Sequence, residues 1–168
     1  MKTFRLMVLP LILLLAACQG SPQTQPVTTS PAQASAPQHA AKSAAPASYW
    51  VDGQPQSDSQ GAVTVELRPN NLNNPASFIE FAVAMNTHSV NLDMNLAQLS
   101  TLTTDSGLEV QAVSWDAPSG GHHVRGVLRF PAVVDGQPVL NAQTRRVTVT
   151  IRNVDAPVRT FTWQRNTP

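Results

Sequence analysis

Three of the four histidines in this chain fall in two short clusters, Asn86-Thr87-His88-Ser89 and Gly120-Gly121-His122-His123. Imidazole nitrogens suit zinc and copper, and Asp93, Met85 or Met94 would add a carboxylate or a thioether. The ligand set to test is therefore His88, His122 and His123 with Asp93. Successive strand residues point to opposite faces, so His122 and His123 share one ion only if Gly120-Gly121 bends the backbone out of strand geometry, as glycine allows. The first reading of these histidines is structural: they bond loop carbonyls and fix the turn from Ser119 to His123. Copper or zinc binding is the alternative, and neither a C-x-x-C pair nor an H-E-x-x-H helix accompanies it.

Nucleophilic chemistry finds little support in the same residues. Ser89 adjoins His88 and Ser119 lies near His122, but sequence neighbours are not a nucleophile and base oriented by a third carboxylate, and no G-x-S-x-G elbow is present. Asp58, Glu66, Glu80, Asp93, Asp105, Glu109, Asp116, Asp135 and Asp155 fall in turns and on solvent faces, with no pair suited to glycoside cleavage. We expect no enzyme and no catalytic residue.

Gathering the histidines requires that the strands carrying them be antiparallel neighbours. The apolar period is two almost throughout: Ile79, Phe81, Val83 and Met85; Val124, Gly126, Leu128 and Phe130; Val147, Val149 and Ile151; Phe161 and Trp163. Val63, Val65 and Leu67, before the turn Arg68-Pro69-Asn70-Asn71, add a strand, and Leu108 to Trp115 another. About seven such strands predict an all-β, immunoglobulin-like sandwich, with an eight-stranded barrel as rival. Leu92, Leu96 and Leu99 are spaced for one short helical turn, although Val90, Leu92, Met94 and Leu96 also alternate as a strand would. Asp135-Gly136 marks a tight turn between Val133-Val134 and Val139-Leu140. Trp115 and Trp163 belong at the core margin, and Tyr49-Trp50 over an open edge or end.

The single cysteine follows Leu15-Ala16-Ala17 at the close of an apolar run that begins at Leu6, behind Lys2 and Arg5. The run is too short to span a bilayer as a permanent helix and reads as a removed signal. Leu15-Ala16-Ala17-Cys18 resembles the lipobox of bacterial lipoproteins, which implies that residues 1–17 are cleaved and Cys18 is acylated. Each buried acyl CH₂ is worth roughly 0.8 kcal/mol, so several chains on one residue make a firm membrane anchor. Gln19 rather than Asp after the cysteine implies, in a Gram-negative host, the outer membrane with the domain facing the periplasm.

Residues 18–47 mix Pro, Ala, Gln, Ser and Thr, hold His39 and almost no charge, and predict an unfolded spacer stiffened by prolines at 22, 26, 31, 37 and 46. Residues 48–168 remain for one sandwich domain. The chain has 11 basic and 10 acidic residues, and loss of Lys2 and Arg5 with the signal turns its formal charge from +1 to −1. That balance argues against a nucleic-acid partner, and one cysteine allows no internal disulfide. The expected function is an envelope-anchored lipoprotein presenting a non-catalytic binding or structural module, held to the membrane by its lipid and partnered by another envelope protein. The alternative is a periplasm-facing metal-binding lipoprotein.

Overall fold

The computed structural model describes residues 49–166; the segments expected as signal peptide and spacer, with Cys18 and His39, lie outside them. The strands are β1 (Tyr49–Trp50), β2 (Gln56–Asp58), β3 (Val63–Pro69), β4 (Phe78–Thr87), β5 (Ser100–Thr104), β6 (Glu109–Gln111), β7 (Ser114–Asp116), β8 (His123–Pro131), β9 (Val133–Val134), β10 (Gln137–Pro138), β11 (Arg146–Arg152) and β12 (Val158–Asn166), with one helical turn, α1 (Leu96–Leu99), before β5. They form two five-stranded sheets, ordered β1-β12-β11-β5-β6 and β2-β3-β4-β8-β7, and a two-stranded ribbon of β9 and β10. Every described pairing is antiparallel. Two open sheets packed face to face make a sandwich rather than a closed barrel.

The period of two becomes burial directly. Val63, Val65 and Leu67, Ile79, Phe81, Val83 and Met85, Val124, Leu128 and Phe130, Val147, Val149 and Ile151, and Phe161 with Trp163 all turn inward. Across the interface Phe81 of one sheet meets Trp163 of the other, with ring centroids 5.1 Å apart, and Phe130 sets its edge against Phe81 at 5.9 Å. Such offset and edge contacts add about 0.5–1.5 kcal/mol each beyond area burial. Among the described residues the core cluster runs from Trp50 to Trp163.

Two local expectations are corrected, those for the run from Leu108 to Trp115 and for Asp58. The run from Leu108 to Trp115 is not one strand, because the chain changes sheets within it. Ala112 N donates to Ser100 O in the first sheet at 3.0 Å, and Val113 N donates to Arg129 O in the second at 2.8 Å. Periodicity carries straight through such a crossing, since both halves face the same core.

The helical turn is only Leu96–Leu99, started by Asn95, whose side chain accepts from Ala97 N. Leu92 is buried before it, on a stretch from Val90 to Asn95 that alternates in exposure without joining a ladder. Asp135 and Gly136 form the expected tight turn, with φ of 50° and 75°, between β9 and β10.

Asp58 does not sit on a solvent face. It is half-buried and pairs with Arg159, whose side chain is 0% exposed. Arg159 also donates to Asp58 O (3.0 Å), Gln60 O (2.6 Å), Val63 O (2.8 Å) and, through Nε and Nη2, Val154 O (3.1 and 3.0 Å). One guanidinium thus ties the β12 sheet to the turn between β2 and β3 and to the loop before β12.

Candidate histidine pole

The two histidine clusters meet because β4 and β8 are antiparallel neighbours in a register that sets Asn86 opposite His123. Thr87 N donates to His122 O at 2.9 Å, one step beyond the last ladder pair. The chain then turns on the Thr87 hydroxyl, which accepts from Ser89 N and Val90 N at 3.2 and 3.3 Å. Thr87 itself is buried, so this turn is anchored to the core.

The second loop locks onto the first through backbone. Leu92 N donates to Gly121 O at 2.9 Å and Gly120 N to Leu92 O at 3.0 Å, a two-way exchange that pins the glycine turn beside buried Leu92. Gly120 and Gly121 have φ of 83° and 101°, conformations that L side chains rarely adopt. Asn91 completes the clasp: its Oδ1 accepts from Gly121 N at 2.9 Å, and its Nδ2 donates to Asp93 Oδ2 at 3.0 Å. A β-carbon on Gly120 would come to 3.2 Å from Asn91 Oδ1, so the turn has no room to spare.

On this base His88, Ser89, His122, His123 and Asp93 are all exposed. His88 and His123 are brought together, with ring centroids 6.3 Å apart and planes at 85°. His123 Nδ1 lies 3.0 Å from Asn86 Oδ1; the tautomer that donates there leaves the Nε2 lone pair free. The bend at Gly120-Gly121 is present, yet His122 precedes β8 while His123 begins it. Among the described residues no three His, Cys, Asp or Glu side chains gather closely enough to hold an ion, so His122 and Asp93 do not complete a site around the His88–His123 pair. Met85 faces the core and Met94 packs against it.

Glu80 and Asp116 are occupied in holding the fold. Glu80 receives the Arg129 Nε bond at 2.8 Å, with Asp116 3.6 Å from the same guanidinium. These contacts hold Arg129 protonated even more firmly than usual. Trp163 is buried and donates from Nε1 to Gln54 O at 3.1 Å, while Trp115 is half-buried against the core. Trp50 is 1% exposed and pairs through β1 with the edge of β12, so it does cover an edge; Tyr49 beside it is 51% exposed.

Two arginine features escaped sequence reasoning. Arg159 shares the parity of Phe161 and Trp163, so its inward direction was legible, but its charge masked it. Arg145, Arg146 and Arg165 converge only through the pairing of β11 with β12, which overall charge does not reveal. No protein-family model, curated protein or solved structure matches this chain.

Proposed function

We propose that this chain is an envelope-anchored lipoprotein, tethered through Cys18 and facing the periplasm of a Gram-negative host from the outer membrane, whose sandwich is a non-catalytic binding module for another envelope protein. The anchor rests on Leu15-Ala16-Ala17-Cys18. The binding role rests on one observation: two loops at one end of the sandwich are clasped by reciprocal backbone bonds and present a row of exposed polar side chains. A surface held this rigidly loses little conformational entropy when a partner docks. We also read the sandwich as immunoglobulin-like in kind, supported by its two antiparallel sheets and the chain crossing from one to the other between β6 and β7.

A photo-cross-linking residue at Ser89, compared with one at Thr160 on the outer face of the other sheet, tests the role in intact cells. A discrete protein adduct from Ser89 alone supports it, and equal labelling from both positions, or none, overturns it. Labelled palmitate should enter the native chain and not the Cys18→Ser chain; incorporation into Cys18→Ser would refute the anchor.

A second reading is favoured by the His88–His123 pair. Two imidazoles bound to one zinc or copper ion at about 2.0–2.1 Å from each nitrogen need their rings roughly 1 Å closer than here for a tetrahedral angle, a shift exposed side chains can make. The chain would then be a periplasm-facing metal-binding lipoprotein, with His122 or Asp93 swinging in as third ligand.

A further inference from the structure

A depression of about 640 Å³ on the described domain is lined by Asp105, Arg145, Arg146, Gln164 and Arg165, none of them in the histidine clusters. Arg146 and Gln164 are register partners on β11 and β12, and Arg165 N donates to Arg145 O at 2.8 Å, so the three arginines are fixed by ladder geometry. Buried Thr144 and Val147 flank the exposed Arg145-Arg146 pair and hold it at the mouth of β11.

The single acid there is already engaged. Both Asp105 carboxylate oxygens accept from Arg145 N at 3.1 Å. Partial desolvation pushes its carboxyl up, but the backbone amides and the Arg146 charge outweigh this and hold it below the ordinary 3.8. Asp105 therefore stays ionised and committed to backbone.

Arg165 is set in place from beneath. Its Nη1 donates to Asn141 O and Ala142 O at 3.1 and 3.2 Å, and its guanidinium lies 5.6 Å from the centroid of the Trp50 ring. Its Nε is buried with no partner. The side chains of Arg145 and Arg146 form no ion pair among the described residues, where the pairs belong to Arg129 and Arg159. Three guanidiniums against one committed carboxylate leave an uncompensated positive depression, a poor arrangement for stability alone.

We propose that Arg145, Arg146 and Arg165 bind a phosphate group. The guanidinium fork matches phosphate oxygens bidentately, and a local excess of two positive charges suits a phosphate group, whether the singly charged diester of a lipid headgroup or a monoester carrying about −1.5 to −2. The site adjoins the point where the N-terminal segment joins the sandwich, since Trp50 is the ladder partner of Arg165. In the lipoprotein reading, residues 18–47 join this end of the sandwich to the lipid on Cys18. The headgroup as source rests on the lipoprotein reading; the phosphate site itself does not, and palmitate labelling tests the anchor separately.

The chain from Gln19 to Pro168 carries no lipid and keeps the whole core, so it serves for both arms of the experiment. One arm titrates it with inorganic phosphate; the other sediments it with vesicles of phosphatidylglycerol in phosphatidylcholine, against phosphatidylcholine alone. Arg145→Gln/Arg146→Gln, on exposed side chains outside the core, should weaken binding about tenfold or more per arginine, as for charge-assisted bonds. Saturable phosphate binding lost in that variant identifies free phosphate as ligand, and vesicle binding alone, lost in the same variant, identifies the headgroup. No binding in either arm, or binding that the double variant leaves unchanged, overturns the site.

Discussion

Replacing Arg159 with Met should be the most damaging single substitution in this domain that leaves side-chain volume nearly unchanged. The Arg159 side chain is 0% exposed, and its five donor contacts at 2.6–3.1 Å to the carbonyls of Asp58, Gln60, Val63 and Val154, with the Asp58 carboxylate besides, leave no part of the guanidinium idle. Methionine fills the space of the stem and restores none of these bonds. Removing one partner of a buried ion pair costs about 3–5 kcal/mol, because the remaining charge and carbonyls stay desolvated. Against a total stability of about 5–15 kcal/mol this is a large share. It corresponds to a fall in Tm of roughly 10–25 °C for a domain of this size. Urea unfolding followed by tryptophan fluorescence should show a lower midpoint at an unchanged slope. A loss below about 1 kcal/mol would mean that water replaces the guanidinium without penalty, and the closure assigned to Arg159 would be wrong.

Three further outcomes are expected. Burial pushes the Asp58 carboxyl up, but Gln60 and Arg159 outweigh it and hold it below its ordinary 3.8; its contribution is therefore present above about pH 4 and lost as pH falls through the lowered value. Thermal melts from pH 6 downward should show a shallower acid limb in Asp58→Asn, and an unaltered limb would count against the pairing. Gly126→Ala places a methyl 2.4 Å from both Ala117 Cβ and Asp116 O and 2.9 Å from Trp115 Cη2; overpacking of this kind costs about 1–3 kcal/mol, and urea unfolding with no change in midpoint would refute it. Titration with copper and zinc beside His88→Ala/His122→Ala/His123→Ala should give a one-to-one isotherm lost in the variant if the pole holds metal, while flat traces in both would return the histidines to the protein-binding surface.

The strands that build the core were legible because their burial follows a local period. Ile79 to Met85 and Val124 to Phe130 announce both their faces and, through the residues that end them, the place where His88 and His123 meet. The antiparallel neighbour relation of β4 and β8 was a condition that periodicity cannot supply, and the ladder from Phe78–Pro131 to Asn86–His123 satisfies it. What stayed hidden is what depends on contacts between distant segments. Ala112 and Val113 sit in an unbroken apolar pattern, yet their amides bond to different sheets, since one core receives side chains from both. Arg159 occupies an inward position in perfect alternation, and what makes that position tolerable for a cation is mostly the carbonyls and the Asp58 carboxylate about a hundred residues earlier, joined by nearby Val154 O. His122 looked equivalent to His123, but being one residue outside the ladder separates them.

The pairing of Tyr49–Trp50 with the final strand, together with the Arg159 clasp on the turn before β3, also sets a timetable. The domain's first strand has no ladder partner, and the carbonyls of Gln60 and Val63 have no guanidinium, until the last strand has been made. Contacts this far apart are slow to close and arrive late. A chain synthesised from its N-terminus must therefore remain unfinished almost to its end, whatever its earlier strands have done. If the chain is exported as proposed, that delay is an interval in which it can be threaded through a membrane before it becomes too compact to pass.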